Sequence, residues 1–116
     1  MHQQKNMKII CVPLTSKAMH LLDTGSCPDS LLETINLTSE EYDRLLKSGA
    51  IDTINASLGK IIDEYEDEKI DTPEDLKKTL SILEARKTAT NSDIIKKIIS
   101  LNTLAIHNHT GLFFFF

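Results

Sequence analysis

The chain has 116 residues, 41% of them hydrophobic and 26% charged, which fits one globular domain that buries about two-thirds of its unfolded surface. Its formal net charge of −4 argues against general nucleic-acid binding, because such binding needs a basic surface. Residues 1–6 are polar and lack the apolar core of a secretory signal, so we expect a frayed lead-in to a single domain over 1–116. Two cysteines without such a signal indicate reduced thiols and a cytoplasmic protein.

The first third of the chain alternates short apolar and polar segments. Residues 8–14 (KIICVPL) predict a strand buried on both faces, and Pro13 marks its end or an unpaired edge. Residues 16–22 are expected to form one short helical turn, and residues 24–29 have the composition of a loop. For residues 31–37 we favour a strand over a helical turn.

A capping box predicts the start of the next helix. Thr38 and Glu41 stand in the T-x-x-E arrangement, and Leu37 and Tyr42 occupy the positions of a hydrophobic staple. The helix that follows is expected to end at Gly49, because glycine is favoured just past a helix C-terminus.

A second helix is predicted directly after Gly49. We expect Gly59 to lie inside it, at a cost of about 1 kcal/mol relative to alanine. On this interpretation the helix continues into an acidic stretch. Apolar residues recur at helical spacing along it, and they are Ile51, Ile54, Leu58, Ile61, Ile62 and Tyr65.

Two further helices are predicted in the second half of the chain. Thr72 and Pro73 have the residue types of an N-cap and a first helical position, and this third helix is expected to end near Arg86. A fourth helix is predicted from near Ser92 through Ala105, because isoleucine and leucine recur along it at helical spacing.

All four phenylalanines form one uncharged run at residues 113–116, after a turn predicted at residues 107–111. The run is too short to cross a bilayer, which needs about 20 apolar residues in a helix, so it predicts a strand buried on both faces. The predicted fold class is therefore α+β, with about four helices packed on a small sheet that pairs the N-terminal and C-terminal strands. The sequence leaves the direction of that pairing open.

The stretch from residue 63 to residue 75 holds eight acids and one lysine, a net charge of −7. It has three interpretations: a solvated helix end, a protein-binding surface, or a calcium loop, for which the ligand spacing and central glycine are absent. Acids near the C-terminal end of a helix oppose its dipole, and this conflict favours a functional role. Tyr65 is assigned first to the core and second to an interface. The candidate partner-binding residues are Asp63, Glu64, Tyr65, Glu66, Asp67, Glu68 and Asp71.

The remaining chemistry-bearing residues predict no catalytic or metal site. His107 and His109 would share a face in an extended segment and could hold a metal, but two ligands do not make a site and no third is spaced near them. Cys11 is expected to be a small core residue, and Cys27 lies in a loop without a CxxC or histidine partner. We therefore expect no cofactor, no metal and no enzymatic activity.

Four segments together resemble a group of small bacterial immunity proteins, the antidotes of toxin-delivery and contact-dependent inhibition systems. They are residues 37–42 (LTSEEY), 45–49, 61–68 (IIDEYEDE) and 110–116. The resemblance implies a non-enzymatic inhibitor that binds one toxin, commonly a basic nuclease, in the cytoplasm, with no catalytic residues to carry over.

Two alternatives to an immunity protein stay open. One is a small structural or regulatory adaptor of phage or plasmid origin, and the other is a small hydrolase or metal enzyme using His107 and His109. For the immunity protein the expected partner is a cognate toxin with a basic surface. Neither nucleic acid nor a membrane is expected as a partner, and a homo-oligomer is possible.

Overall fold

A four-stranded antiparallel sheet lies at the centre of the fold. The computed structural model describes residues 8–116, so the lead-in predicted at 1–6 lies outside the described residues. The strands follow the order β2-β1-β4-β3 across the sheet. Their bounds are β1 (Lys8–Pro13), β2 (Leu32–Leu37), β3 (Glu68–Ile70) and β4 (Leu112–Phe115). The predicted pairing of the N-terminal and C-terminal strands is confirmed, and its direction is antiparallel.

Five α-helices and one short 3-10 helix (Asp29–Leu31) within residues 8–116 accompany the sheet. About four helices were predicted, and the predicted α+β fold class is confirmed. The additional α-helix is α1, which was predicted only as a single turn; its N-cap is Thr15, whose side chain accepts a hydrogen bond from Ala18 N. The bounds are α1 (Ser16–Asp23), α2 (Ser39–Lys47), α3 (Ala50–Leu58), α4 (Pro73–Arg86) and α5 (Ser92–Asn108).

The two faces of the sheet bury different residues, because successive side chains of a strand point to opposite sides. The face toward the main core carries Ile10 of β1 and Phe114 of β4, which pair directly and pack in one cluster with residues of α2 to α5. The opposite face carries Cys11 and Phe113, which are also paired and buried. The phenylalanine strand is therefore buried on both faces at Phe113 and Phe114, as predicted, whereas Phe115 and Phe116 are partly exposed.

The capping box predicted for α2 is present. Glu41 N donates to Thr38 Oγ1 at 3.0 Å, and Thr38 N donates to Glu41 Oε1 at 2.9 Å. The second carboxylate oxygen of Glu41 accepts from Lys97 Nζ of α5, also at 3.0 Å. The backbone hydrogen bond at Thr38, followed by the contact with Lys97, lowers the pKa of the Glu41 carboxyl below its ordinary value. One side chain therefore both begins α2 and ties it to α5.

We expect Glu41→Gln to lower the free energy of unfolding at neutral pH by about 0.2–1 kcal/mol, the usual value of a partly exposed ion pair. Because the pKa is lowered in the folded state, the charged carboxylate stabilises the fold above the ordinary carboxyl pKa, and this contribution is lost as the pH falls through the lowered folded value. Urea unfolding of parent and variant between pH 7 and pH 2 measures the difference, with exposed Glu40→Gln as control. If the difference in free energy of unfolding between parent and variant stays constant from pH 7 to pH 2, the contribution does not come from the ionised Glu41 carboxylate.

The predicted second helix is shorter than expected. It ends as α3 at Leu58, and Gly59 adopts a left-handed φ of 67° as its C-cap. The prediction that Gly59 lies inside the helix is therefore wrong. Because the helix ends there, the helical spacing of Ile61, Ile62 and Tyr65 does not place these residues on one helix face.

The starts of the last two helices agree with the sequence signals. Thr72 is the N-cap of α4, with Pro73 in the first helical position, and α5 begins at Ser92. The predicted turn at 107–111 is partly wrong, since α5 continues through Asn108 and His109 is its C-cap with φ 55°.

Candidate functional site: the acidic loop

The acidic loop, defined as residues 59–67, connects α3 to β3. Its first part is fixed by a side-chain clamp from α3. Asn55 Nδ2 donates to Ile62 O at 3.3 Å, and Ile62 N donates to Asn55 Oδ1 at 2.9 Å. The Ile62 side chain is buried in the main core. The loop therefore leaves the core at a defined position.

Two of the acids hold the loop in shape. Asp63 Oδ1 accepts hydrogen bonds from Tyr65 N at 2.8 Å and from Glu66 N at 3.1 Å, which closes a tight turn. Glu68 Oε2 accepts from Ile61 N at 3.1 Å and joins the two ends of the loop. Asp63 and Glu68 are only partly exposed, so their main contribution is to the loop's own conformation.

Tyr65 projects from this turn into solvent. Its exposed fraction is 90%, the highest of the large apolar side chains among the described residues, and Ile61 is 55% exposed. The assignment of Tyr65 first to the core is therefore wrong. Tyr65 is exposed because α3 ends at Leu58, with Gly59 as its C-cap. Ile61 and Tyr65 therefore do not belong to the apolar face of that helix. Tyrosine is a frequent anchor of protein interfaces because it combines a large apolar ring with a hydroxyl.

The carboxylates around Tyr65 differ in how far they are neutralised. Glu64 lies 3.7 Å from Lys8 Nζ, and Lys69 pairs with Asp23 at 3.2 Å and with Asp71 at 3.7 Å. Hydrogen bonding to Asp23 is the main reason that the pKa of Lys69 is raised. Glu66 and Asp67 are exposed and form no ion pair within residues 8–116. The uncompensated negative charge is therefore beside Tyr65.

A cleft of about 290 Å³ adjoins the acidic loop on the face of the sheet that bears Phe113. The ammonium of Lys69 lies 5.8 Å from the centroid of the Phe113 ring, and the rings of Phe113 and Phe115 are stacked at 6.3 Å. Aromatic rings flanked by carboxylates suit a cationic side chain. The lining residues are Leu22, Asp23, Asp67, Glu68, Lys69, Phe113 and Phe115.

The structure brings most of the predicted partner-binding residues together. Asp63, Glu64, Tyr65, Glu66 and Asp67 belong to the acidic loop, and Glu68 is the first residue of β3. Asp71 follows the other end of β3 and approaches Gly111, where an added Cβ would lie 3.0 Å from the Asp71 Cβ. Asp71 is thus at the edge of the surface rather than at its centre.

The histidines and cysteines occupy other places. His107 is exposed in the last turn of α5 and His109 is its C-cap, so the alternating arrangement of an extended segment does not apply to them. Across residues 8–116 no group of three His, Cys, Asp or Glu side chains is placed to hold a metal ion. Burial raises the pKa of the Cys11 thiol to about 12, so this cysteine stays protonated and unreactive at neutral pH.

Some residues that form the site were not identified from the sequence. Asn55 was not singled out, and Leu22, Asp23 and Phe115 come from segments far apart in the chain. The glycine at position 59 was the available signal, since Gly49 was correctly interpreted as a helix end by the same rule. Applied to Gly59, that rule would have placed Tyr65 outside the helix.

No protein-family model, curated protein or solved structure matches the chain. In the part of the chain from residue 8 onward, no helix has the length and apolar character needed to cross a membrane. Function is therefore inferred from the chemistry of the surface.

Proposed function

We propose that this protein is an immunity protein, which binds a cognate bacterial toxin in the cytoplasm and neutralises it without catalysis. The observation that carries the proposal is Tyr65, an exposed aromatic side chain on a loop fixed by the hydrogen bonds of Asp63 and Glu68. An ordered loop loses little conformational entropy on binding, so an anchor on it contributes more of its contact energy to affinity.

Electrostatics supports a basic partner. Glu66 and Asp67 carry unpaired negative charge next to Tyr65, and a nuclease offers positive charge where it holds phosphate. Opposite charges steer the two proteins together and raise the rate of association. Occupation of the substrate groove by the acidic loop would exclude nucleic acid from it.

The adjoining cleft gives this surface a second contact. An arginine or lysine of the toxin would extend over the partly exposed ring of Phe115 while its cationic group meets Asp67, because Asp23 in the same cleft is already paired with Lys69. A cation over an aromatic face contributes about 0.5–2 kcal/mol, depending on desolvation. Tyr65 and the cleft would thus bind two neighbouring features of one basic surface.

The first test is complex formation with the product of the adjacent upstream gene. We expect the two proteins to co-purify and the immunity protein to relieve the toxicity of its partner. If the two proteins do not co-purify and toxicity is not relieved, the proposal is contradicted and an adaptor role is favoured.

The second test neutralises the charge of the acidic loop without disturbing its shape. Because Asp63 and Glu68 hold the loop, the variant is limited to Glu64→Gln, Glu66→Gln and Asp67→Asn. We expect association with the toxin to slow about tenfold or more at low salt, with little change in melting temperature. Raising the salt concentration should slow the parent more than the variant.

The matched control has the same change in net charge on other exposed positions, Glu33→Gln, Glu40→Gln and Glu84→Gln. Its association rate should stay close to that of the parent, because these residues lie on β2, α2 and α4. Equal rates for parent, variant and control, measured by stopped flow at low and high salt, would identify the acidic loop as an ordinary solvated surface.

A further inference from the structure

A second cleft, of about 340 Å³, lies where the end of α2 meets the connection from α4 to α5. Its lining contains two bases, three hydroxyls and one amide but no carboxylate, in a chain whose net charge is −4. Its size is at the lower end of the range for small-molecule sites. The lining residues are Arg44, Lys47, Ser48, Thr88, Thr90 and Asn91.

Arg44 in this cleft has an unsatisfied hydrogen-bond donor. Its Nε is buried and has no hydrogen-bond partner, and none of the carboxylates among residues 8–116 forms an ion pair with it. A buried donor without an acceptor is costly, and native structures usually supply a water or an ion at such a place. The guanidinium group offers several donors in the fixed geometry that suits an oxyanion.

The N-cap residue of α5, Asn91, lines the same cleft. Its side chain makes no cap bond to the helix, because Asn91 Oδ1 accepts from Thr88 N at 2.7 Å and Nδ2 donates to Arg86 O at 3.1 Å. The first amide bonded within the helix is Ile95 N, which donates to Asn91 O. The N–H groups of residues 92–94 are therefore left without a side-chain cap, at the positive end of a 17-residue helix.

Two acids stand near the cleft but do not line it. Asp43 pairs with Lys47 at 2.9 Å across one turn of α2, and Asp93 lies in the first turn of α5. They reduce the positive field around the cleft and thereby weaken the attraction of this surface for a long polyanion. Arg44 is left without a carboxylate, and the hydroxyls of Thr88 and Thr90, 3.2 Å apart, add neutral donors.

We propose that this cleft binds one phosphate-type oxyanion, either inorganic phosphate or the terminal phosphate of a small organic molecule. The anion accepts hydrogen bonds from the Arg44 guanidinium and from the threonine hydroxyls, while Lys47 and the positive end of α5 beyond Asn91 add electrostatic attraction. This site is separate from the acidic loop, and its occupation does not depend on the toxin-binding role.

The test is a titration of the ¹⁵N-labelled protein with inorganic phosphate, and in parallel with glycerol 3-phosphate, at an ionic strength held constant with NaCl. We expect saturable chemical-shift changes at the Arg44 Nε–H and at the amides of Ser92 and Asp93. Tighter binding of glycerol 3-phosphate identifies an organic phosphate as the ligand, and tighter binding of inorganic phosphate identifies the free ion. Shifts that stay linear and equal those caused by NaCl alone would overturn the proposal.

Three variants separate a built site from general attraction of anions. Arg44→Lys keeps the charge but replaces the planar guanidinium by a single ammonium, and it should weaken binding several-fold. Lys47→Gln changes a mostly exposed side chain, so it should weaken binding while the fold stays intact. It therefore tests the site even if the Arg44 variant does not fold. Lys77→Gln, at an exposed position of α4, should bind as the parent does. If Arg44→Lys and Lys47→Gln bind phosphate with the same affinity as Lys77→Gln, no specific site exists in this cleft.

Discussion

Deletion of residues 113–116 will abolish cooperative folding. β4 pairs with β1 on one side and with β3 on the other, so its loss separates β3 from the rest of the sheet and leaves one edge of β1 without a partner. Full burial of Phe113 and Phe114 contributes about 3–6 kcal/mol, and the partly buried Phe115 and Phe116 add less each. Together they approach the net stability of a typical domain, about 5–15 kcal/mol. Calorimetry and near-ultraviolet circular dichroism of the truncated protein should show no melting transition.

Single substitutions in β4 provide the graded control for this deletion. Phe114 is 1% exposed and packs edge-on against Phe116 at 5.7 Å, so Phe114→Ala should cost about 3–5 kcal/mol. Phe115 is partly exposed, and Phe115→Ala should cost clearly less. A truncated chain that melts near the parent temperature would refute the central role of β4.

Tyr65→Ala will weaken toxin binding by about thirtyfold or more, if the proposed function is right. Truncation of a central aromatic anchor commonly costs 2 kcal/mol or more, and each 1.4 kcal/mol corresponds to about a factor of ten in affinity. The side chain is 90% exposed in the free protein, so the melting temperature should not change. Isothermal titration calorimetry and a thermal melt of the same sample measure the two effects.

The control for Tyr65→Ala is Leu46→Ala, which removes another exposed apolar side chain, on α2. Its affinity for the toxin should equal that of the parent. Tyr65→Phe keeps the ring and should retain most of the affinity. A Tyr65→Ala variant that binds as tightly as the parent would remove the main support for the acidic loop as an interface.

Features that depend on neighbouring residues could be predicted from the sequence. Thr38 and Glu41 form their capping box within four residues of each other, and Thr72 with Pro73 begins α4 in the same local way. The pairing of β4 with β1 was also predicted, because an uncharged aromatic run requires the most buried place in the fold.

Features that depend on distant partners were missed. β3 contains three residues, of which only Ile70 is apolar, and it exists as a strand because it pairs with β4 more than 40 positions away. No periodicity is visible in so short a segment. The acidic loop was also missed, because a continuing helix was predicted where the chain turns toward β3.

The sequence grouped the acidic residues of the candidate site, but it gave neither their separate roles nor the residues contributed by other segments. The sequence groups the acids by position, whereas the structure separates Asp63 and Glu68, which accept backbone hydrogen bonds, from Glu66 and Asp67, which face solvent. The cleft beside them joins α1, β3 and β4. These three segments are brought together by the order of the strands, so no local sequence pattern predicts the cleft.

The position of β1 in the sheet has a consequence for protein synthesis. β1 pairs with β4 through residues such as Cys11 and Phe113, which are made about 100 positions apart, or about 5–20 s at ordinary ribosome speeds. During that time one edge of β1 is open to strands of other nascent chains. Slow translation, which gives helices time to form, would prolong this exposure, so we expect the yield of folded protein to fall when elongation is slowed between β2 and β4.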